Sequence, residues 1–392
     1  MSNHRCRGCF GSNIFKFYSL DNVPVHSVML ADSKQDALNF PKGNILLGFC
    51  LNCGLISNLS FDPMNMEYSS GYESTQVYSD TFNQFHVELA EDLIERFGLH
   101  NKTIIEIGCG NGEFLALLCE LGGNTGIGFD PAFEDQDHQR LRSSNLTIIK
   151  DFYSEKYNQY KADFFCCKMT LEHIASPIEL IKSIRHAIRQ DYQTTVFFQV
   201  PDVIRILEEI AFWDIYYEHC SYFDRSSLAG LFKRCGFNVL NVWKAYEDQY
   251  LMIECQPDTE GVVQDEISSA DIERINRAVR NFQHGCNESI VKWKSKIRDL
   301  YLGGKKTILW GGGSKAVSFL TTLKIMDEIK YVVDINPRKQ GTYIAGTGQE
   351  IVSPAFLRNY EPETVIIMNN VYFDEIKNKL GQIHLSPELL CV

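Results

Sequence analysis

Residues 103–118 read TIIEIGCGNGEFLALL, and this stretch decides the fold. Its first five residues are β-branched except for one glutamate, which favours a buried strand. Glycines at 108, 110 and 112 follow, and a helical apolar run begins directly after them. Glycines at such a point permit a tight turn and let backbone N–H groups approach a ligand at the helix N-terminus. The stretch predicts the first βα unit of a ligand-binding α/β domain.

Strands and helices alternate on both sides of this loop. A helical pattern covers residues 81–97, and the glycine loop is followed by helix 112–121, strands 125–129, 146–149 and 163–167, helix 177–188 and strand 194–199. This alternation predicts parallel βαβ units with helices on both faces of the sheet. A second βαβ run begins at Thr307 and continues through 331–334 and 365–368. The fold class is therefore α/β, with a second, smaller α/β domain.

Four of the thirteen cysteines form two C-x-x-C pairs, Cys6 with Cys9 and Cys50 with Cys53. A two-residue spacer lets both thiolates of a pair face one tetrahedral ion, so two pairs complete a four-cysteine zinc shell. Such a shell leaves no open position, so we expect a structural Zn²⁺ rather than a catalytic one. The other nine cysteines lie in apolar surroundings and are interpreted as buried packing residues.

Composition limits the classes of partner. The 392 residues are 44% hydrophobic and 22% charged, which is typical of a globular protein. The net charge of -12 argues against nucleic acid and anionic membranes as partners. No run of eighteen apolar residues occurs, and the polar N-terminus does not resemble a signal peptide. We expect a cytoplasmic protein that acts on a small molecule; its oligomeric state is open.

These patterns divide the chain into four units. We predict a zinc-binding module at 1–66, the main α/β domain at 67–256, a charged helical connector at 257–300 and the smaller α/β domain at 301–392. The last unit holds ten Lys or Arg and nine Asp or Glu, so it is near neutral while the remainder is strongly acidic. A single bound diphosphate is compatible with that distribution.

Acidic residues flank the first glycine loop. Glu106 precedes Gly108, Gly110 and Gly112 in an E-x-G-x-G-x-G pattern, Asp130 ends the next strand, and Asp151 follows the third. A strand-end acid can accept hydrogen bonds from both ribose hydroxyls. Together with LEHIASP after the fourth strand, the pattern resembles the class I S-adenosylmethionine-dependent methyltransferases, in which the acid after the third strand usually holds the adenine edge. A nicotinamide site remains the alternative.

The second loop, LWGGGSKAVSFL, begins at residue 309. Gly311, Gly313 and Ala316 match the dinucleotide pattern G-x-G-x-x-A, and Asp334 ends the following strand. Its helix would begin with Ser314 and Lys315, which suits a diphosphate. This loop supports the alternative of a nicotinamide-dependent oxidoreductase, and a purely structural turn is the other interpretation.

An aromatic segment after the fifth strand contains a titratable pair, Glu218-His219, within YYEHCSYF. Imidazole titrates near neutrality and suits general-base work, and a neighbouring carboxylate or phenol can tune it. Glu172-His173 after the fourth strand is the competing pair, and we expect it to shape the cofactor pocket.

The cysteine pairs, EIGCGNG, YYEHCSYF, LWGGGSK and YVVDINPRKQGTYIAGTGQEI occur in this order. The sequence resembles the nucleotide-sugar C-methyltransferases over nearly its whole length. That family joins a zinc-binding module, an S-adenosylmethionine domain and a Rossmann-like C-terminal domain. Its members commonly read YHEHLSYF and PGTHIPI, where this chain has YYEHCSYF and AGTGQEI. The identity of the sugar and of its nucleotide is therefore open.

The resemblance also implies roles for residues. By that match His219 is the general base, with Glu218 and Tyr216 as its partners. A tyrosine before the first helix reaches the substrate; Tyr72 matches best, with Tyr68 and Tyr78 as alternatives. The sugar nucleotide lies against the C-terminal domain, which implicates Ser314, Lys315 and the turn Asp334–Lys339.

The reaction that we predict begins with a keto sugar beside the methyl group of S-adenosylmethionine. His219 removes the proton α to the ketone, the resulting enolate takes the methyl group, and a donor such as Tyr216 stabilises the oxyanion. A methyltransferase for oxygen or nitrogen is the nearest alternative, because it would need no enolate.

Overall fold

The computed structural model describes residues 4–66, 71–134, 145–189, 191–259 and 267–392. The strands in these ranges are β1 (Ile14–Pro24), β2 (Lys42–Cys50), β3 (Ile56–Asn58), β4 (Thr103–Ile107), β5 (Thr125–Phe129), β6 (Leu146–Ile149), β7 (Phe164–Lys168), β8 (Thr195–Pro201), β9 (Ser221–Tyr222), β10 (Phe237–Ala245), β11 (Tyr250–Pro257), β12 (Thr307–Trp310), β13 (Tyr331–Val333), β14 (Glu350–Val352), β15 (Thr364–Ile367) and β16 (Glu388–Cys391). The α-helices are α1 (Lys34–Leu38), α2 (Asp80–Phe97), α3 (Glu113–Gly122), α4 (Pro177–Ile188), α5 (Val203–Glu208), α6 (Arg225–Arg234), α7 (Ser269–Leu302), α8 (Ser314–Leu323), α9 (Leu357–Tyr360) and α10 (Phe373–Gln382).

The central sheet has the strand order β10-β11-β8-β7-β4-β5-β6. Strands β6, β5, β4, β7 and β8 are parallel, and β11 and β10 add an antiparallel edge. The predicted strands of this region agree with the observed ones to within two residues. The predicted α/β class is confirmed.

Positive φ angles at three glycines form the turn between β4 and α3. Gly108, Gly110 and Gly112 have φ of 69°, 56° and 81°, where side chains other than glycine are strained. A Cβ at Gly108 would lie 2.0 Å from Thr170 Oγ1. The turn therefore requires glycine both for its conformation and for the close approach of the loop after β7.

The N-terminal sheet takes its fourth strand from far along the chain. Its order is β1-β2-β3-β9, and β9 pairs with β3 through Ile56 to Tyr222 and Ser57 to Ser221. The segment that carries Glu218 and His219 thus lies against the N-terminal sheet. It is not a loop of the central sheet alone.

The C-terminal sheet is entirely parallel, in the order β14-β13-β12-β15-β16. The described part of the connector predicted at 257–300 consists mainly of the 34-residue helix α7 (Ser269–Leu302), whose N-cap Ser268 accepts a hydrogen bond from the Asp271 backbone; residues 260–266 lie outside the described ranges. Ile275, Val279 and Phe282 of α7 join a core shared with the N-terminal sheet and the C-terminal domain. Among the described residues, no helix is both long and apolar enough to cross a bilayer.

Candidate active site

Residues from several of the predicted motifs line one cavity of about 520 Å³. It is lined by the first glycine loop, the segment around His219, Tyr72 and the start of α8. Helix α8 follows β12 in the C-terminal domain, so the cavity lies between the two Rossmann-like units. Its volume is in the usual range for small-molecule sites.

The first glycine loop forms one end of the cavity. Gly110 donates its backbone N–H to Asp130 Oδ2 at 2.8 Å, and Ala132 donates to Oδ1 at 2.8 Å. Burial raises the pKa of Asp130. Glu106 is 2% exposed, its Oε2 has no hydrogen-bond partner among the described residues, and burial raises its pKa to about 8. Both acids line the cavity, where they can meet a cofactor.

The remaining residues predicted at the cofactor lie nearby. Gly108, Gly110 and Asp151 line the cavity, whereas Gly112 is the N-cap of α3 behind the loop. Asp151 is paired with Lys156 and accepts a hydrogen bond from the Tyr157 hydroxyl at 2.6 Å; these two contacts lower its pKa to about 2. Its side chain is therefore an ionised hydrogen-bond acceptor.

The N-terminal sheet fixes the segment that carries the predicted base. The Asn58 backbone donates to the Cys220 carbonyl at 3.1 Å, and Asn58 Nδ2 donates to the Tyr217 carbonyl at 3.2 Å. Cys220 donates its thiol to the Ile174 carbonyl at 3.0 Å. This thiol links the segment to the loop that carries Glu172 and His173.

Glu218 is buried in a network that the sequence did not indicate. Its Oε1 accepts hydrogen bonds from the Ser27 backbone, at 2.9 Å, and from the Ser27 hydroxyl. His26 Nδ1 lies 3.5 Å from Oε2, and the Tyr72 hydroxyl donates to Oε2 at 3.4 Å. Burial opposes ionisation, but His26, His173 and Ser27 lower the pKa of Glu218 to about 2. Glu218 is therefore a carboxylate at neutral pH.

His219 packs between two rings. Its centroid lies 4.7 Å from those of His173 and Tyr216, both at nearly perpendicular angles. Its Nδ1 has no hydrogen-bond partner among the described residues. Burial, followed by the neighbouring His173, lowers the pKa of His219 to about 3. The imidazole is thus neutral at physiological pH, the form that a general base requires.

Tyr216 is engaged by an acid that we did not predict. Its hydroxyl donates to Asp214 Oδ1 at 2.7 Å, while Arg205 and Lys315 form ion pairs with the same carboxylate. Burial and the Asp214 charge raise the pKa of Tyr216. We predicted that a donor such as the Tyr216 hydroxyl stabilises the enolate oxygen. In the structure this hydroxyl donates its hydrogen bond to Asp214.

The second glycine loop lines the same cavity, and its charged side chains already contact other groups of the protein. Ser314, Lys315 and Asp334 all line the cavity. Lys315 Nζ lies 2.6 Å from Asp214 Oδ2, and the Ser27 and Ser314 hydroxyls are hydrogen-bonded at 2.8 Å. Asp334 accepts the Gly312 N–H at 2.8 Å. Lys315 therefore connects the C-terminal domain to the segment before His219.

The residues that depart from the family pattern lie away from the cavity. Residues 345–350 do not line it. The Gly346 N–H donates to the Ala37 carbonyl of α1 at 2.7 Å, and Gln349 Nε2 donates to the Ile325 carbonyl at 3.0 Å. These residues contact α1 and the loop after α8 and do not line the cavity, so they give no direct information about the substrate.

The four cysteines of the predicted zinc shell come together. Their sulfur atoms lie within 4.8 Å of one another, with 3.4 Å between Cys6 and Cys53 and 3.6 Å between Cys9 and Cys50. Tetrahedral Zn–S bonds of about 2.3 Å require sulfur atoms about 3.8 Å apart. Four thiols at these distances, with none in a disulfide, fit a four-coordinate soft ion.

Other residues were missed or lie outside the described ranges. Tyr72 and Tyr78 line the cavity, and Tyr68 lies outside the described residues. His26 and Ser27 were missed, although a polar pair inside the apolar run VPVHSV was a usable signal. Asp214 carried no such signal.

Comparison with known proteins identifies two consecutive domains. Residues 82–242 match the family described as "Methyltransferase domain", and residues 254–386 match "C-methyltransferase C-terminal domain". The second match contains the second glycine loop and does not favour an oxidoreductase.

Individual relatives were also found. "C-methyltransferase NovU" of Streptomyces niveus is 24% identical over 387 residues, which are 95% of this chain and 90% of the relative. "Ubiquinone biosynthesis O-methyltransferase" of Actinobacillus pleuropneumoniae serotype 7 (strain AP76) is 29% identical over 103 residues, 24% of this chain and 44% of the relative. Among solved structures, the N,N-8-amino-8-demethyl-D-riboflavin dimethyltransferase RosA from Streptomyces davawensis has a TM-score of 0.36 and 22% identity over 45% of this chain and 56% of that one.

The two matched domains, the glycine loop with its acids, and the relative that spans 95% of the chain agree with one another. They confirm the predicted class I methyltransferase domain followed by a second Rossmann-like domain. The chain is therefore an S-adenosylmethionine-dependent methyltransferase whose second domain matches the C-methyltransferase C-terminal domain.

Proposed function

We propose that this enzyme methylates a carbon atom next to the ketone of a nucleotide-linked keto sugar, with His219 as the general base. The observation that supports the proposal most is the shared cavity, because the cofactor loop, His219 and the start of α8 all line it. A donor and an acceptor can therefore meet beside one titratable side chain.

His219 would take the proton from the carbon α to the ketone. The electron pair of that C–H bond passes into the enolate, and the carbon then forms its new bond to a methyl group. S-adenosylmethionine would supply that methyl group when bound; its S–CH3 bond would break, the electron pair would stay on sulfur, and S-adenosylhomocysteine would be the leaving group. The neutral state of His219 is the state that can accept a proton, and its low pKa comes from burial. Because so weak a base leaves the proton transfer uphill, stabilisation of the enolate oxygen must lower the barrier.

Glu218 would orient and tune this site. Its carboxylate is ionised and held by Ser27 and His26, so it places a fixed negative charge beside the imidazolium that proton transfer creates. Tyr72 donates to the same carboxylate and is our proposed substrate contact. Tyr216 acts in this scheme by holding Asp214 and by packing on His219.

The second glycine loop would hold the nucleotide diphosphate. Helix α8 begins at Ser314 after a glycine N-cap with no side-chain hydrogen bond, so its first N–H groups can meet phosphate. Lys339 Nζ lies 3.8 Å from the position of a Cβ on Gly313, which puts an ammonium group beside the loop. In this scheme Lys315 and Asp334 shape the loop, since Lys315 pairs with Asp214 and Asp334 bonds to Gly312.

We also propose that residues 1–66 hold a structural Zn²⁺ through Cys6, Cys9, Cys50 and Cys53. The turn between the first two ligands is fixed to the methyltransferase domain. Arg7 donates to the Ala175 carbonyl at 2.8 Å, next to the Glu172-His173 loop. Zinc would therefore stabilise one wall of the active site without taking part in the reaction.

Transfer of a labelled methyl group to a panel of nucleotide-linked 4-keto sugars tests the proposal, with the new methyl located by NMR. His219→Gln should lower transfer at least about 1,000-fold while S-adenosylhomocysteine binding persists. His186→Gln, at a histidine 69% exposed on α4, is the matched control. Wild-type enzyme should also exchange the α-proton of the sugar with solvent deuterium. Methylated oxygen or nitrogen without exchange would refute the enolate mechanism.

A further inference from the structure

Lys168 lines the cavity, and no carboxylate of the described residues forms an ion pair with it. It is the last residue of β7, and its Nζ lies 2.8 Å from His86 Nε2 and 3.6 Å from the centroid of the Phe114 ring. Within the described ranges no carboxylate hydrogen-bonds to it; Glu106 and Glu113 act on it only as more distant charges. Lys168 and His86 both line the cavity.

An ammonium group in this setting has unused binding capacity. Lysine carries three N–H donors, of which one is directed to the His86 ring nitrogen and none to a carboxylate. Burial lowers the pKa of Lys168 to about 8, and burial together with Lys168 lowers the pKa of His86 to about 2. His86 is therefore a neutral acceptor, and the pair has a net positive charge that an anion would stabilise.

The fold places this charge at the opposite side of the cavity from the ribose acid. Strand β4 lies between β5, which ends before Asp130, and β7, which ends at Lys168. A cofactor whose ribose meets Asp130 would extend its methionine part across the carboxyl end of β4 toward β7. Glu106 on β4 has an unpartnered Oε2 and can meet the α-ammonium group of that methionine part.

We propose that Lys168, positioned by His86, binds the α-carboxylate of S-adenosylmethionine. Both α-substituents of the cofactor then meet a polar partner. The ammonium would meet the Glu106 carboxyl, whose buried proton a neighbouring positive charge would displace, and the carboxylate would meet the Lys168 ammonium. The inference rests on S-adenosylmethionine as the occupant of this cavity and is independent of the sugar proposed above. Lys168 is therefore assigned to cofactor binding, and His86 is a positioning residue.

Calorimetry with two ligands tests this without any acceptor. S-adenosylhomocysteine carries the α-carboxylate, whereas 5′-methylthioadenosine has the same nucleoside and thioether but no amino-acid group. Lys168→Met should weaken S-adenosylhomocysteine binding by about 10- to 100-fold, the size of a charged hydrogen bond, and methylthioadenosine binding by less than about 3-fold. Lys168→Arg should recover part of the loss. Lys161→Met, at an exposed lysine outside the cavity, should change neither affinity.

A third ligand tests the same contact by removing the carboxylate from the ligand instead of the lysine from the protein. Decarboxylated S-adenosylhomocysteine should bind wild type as weakly as S-adenosylhomocysteine binds Lys168→Met, and the variant should not distinguish the two ligands. His86→Phe should produce a smaller loss, again confined to the ligand with the carboxylate. Equal losses for S-adenosylhomocysteine and methylthioadenosine would mean a structural role, and unchanged affinity would mean no role; either result overturns the proposal. Because no sugar is present, neither outcome depends on the proposed acceptor.

Discussion

The two glycine loops are built alike but are used differently. In each, a backbone N–H of the loop donates to the acid that ends the next strand, at 2.8 Å: Gly110 to Asp130 and Gly312 to Asp334. Glu113, the first residue of α3, accepts a hydrogen bond from the Thr75 hydroxyl at 2.9 Å, whereas Lys315 in the first turn of α8 forms an ion pair with Asp214. In our proposal the same turn geometry serves the cofactor in one domain, whereas in the other domain the turn also links the C-terminal unit to the segment before His219.

Long-range packing causes this difference. Helix α8 buries its apolar side chains in a core shared with the N-terminal sheet and α7. Its Ser318 hydroxyl donates to the Ile215 carbonyl at 2.9 Å, so the helix contacts the segment that leads to His219. A G-x-G pattern alone therefore shows that a βα turn exists, and the neighbours of its helix determine what the turn does.

Alanine at one glycine of each loop should give the largest contrast. Gly108→Ala should lower S-adenosylhomocysteine affinity by about 100-fold or more, because φ is 69° and the new Cβ would lie 2.0 Å from Thr170 Oγ1. Gly313→Ala should leave that affinity within about 2-fold, because φ is -108° and the nearest atom is Lys339 Nζ at 3.8 Å. Calorimetry measures both, with thermal unfolding as the control for folding. Equal losses would show that the two loops do not differ as described.

Removal of the link between the domains should cost stability but not cofactor affinity. Lys315→Met leaves Asp214 with Arg205 and Tyr216 as partners, so we expect the free energy of unfolding to fall by about 2 kcal/mol. Denaturant titration measures this change. The double variant with Asp214→Asn should be less destabilised than the sum of the single variants, with a coupling of about 1–2 kcal/mol. A 10-fold loss of S-adenosylhomocysteine affinity in Lys315→Met would instead place Lys315 at the cofactor.

The two strand-end acids offer a subtler contrast. Asparagine keeps one oxygen for the loop N–H and loses the acceptor of a second backbone N–H, that of Ala132 in one turn and of Asn336 in the other, so the two substitutions perturb their turns in the same way. Asp130→Asn should weaken S-adenosylhomocysteine binding by about 10- to 30-fold through the lost charge at the ribose. Asp334→Asn should leave that affinity unchanged and raise the KM of the acceptor. The opposite assignment would follow if Asp334→Asn weakened the cofactor and Asp130→Asn did not.

Short-range patterns predicted much of this molecule. The strand and glycine spacing around residues 103–118 predicted the first βα unit of the central sheet, and two C-x-x-C pairs predicted the cysteine cluster, because each of these patterns is formed by residues close in the chain. The Glu218-His219 pair stood out for a similar reason, since a titratable pair in an aromatic segment is unusual.

The partners of those residues could not be predicted in the same way. A two-residue strand such as β9 has no periodicity, and its pairing with Ile56 and Ser57 spans more than 160 positions. His26 reaches Glu218 only because β9 joins the N-terminal sheet. Lys315 was predicted to contact the diphosphate because the sequence around it is typical of a helix N-terminus after a glycine loop. Its partner Asp214 lies about 100 positions earlier, and no sequence pattern marks it as that partner.

The pH dependence of kcat/KM tests the charge state of His219, and it is the prediction with the smallest expected effect. Burial and His173 lower the pKa of His219 to about 3, so the neutral base predominates at every pH above about 4. A base that must be unprotonated loses activity only as pH falls through its own pKa. We therefore expect kcat/KM to change by less than about 2-fold between pH 5 and 7, in contrast to an ordinary histidine, whose pKa of about 6.5 would cause a steep decline.

Rates measured at saturating cofactor, with a stable sugar acceptor and constant ionic strength, give this profile. His26→Asn supplies a useful comparison, because it removes a group that lowers the pKa of Glu218 without removing the base. A wild-type decline of kcat/KM between pH 5 and 7 that disappears in His26→Asn would assign the decline to the hydrogen-bond network around Glu218 and leave His219 as the base. A decline that persists in His26→Asn would show that the cavity is hydrated enough to protonate His219. The assumption that burial between the two loops determines its charge would then be wrong.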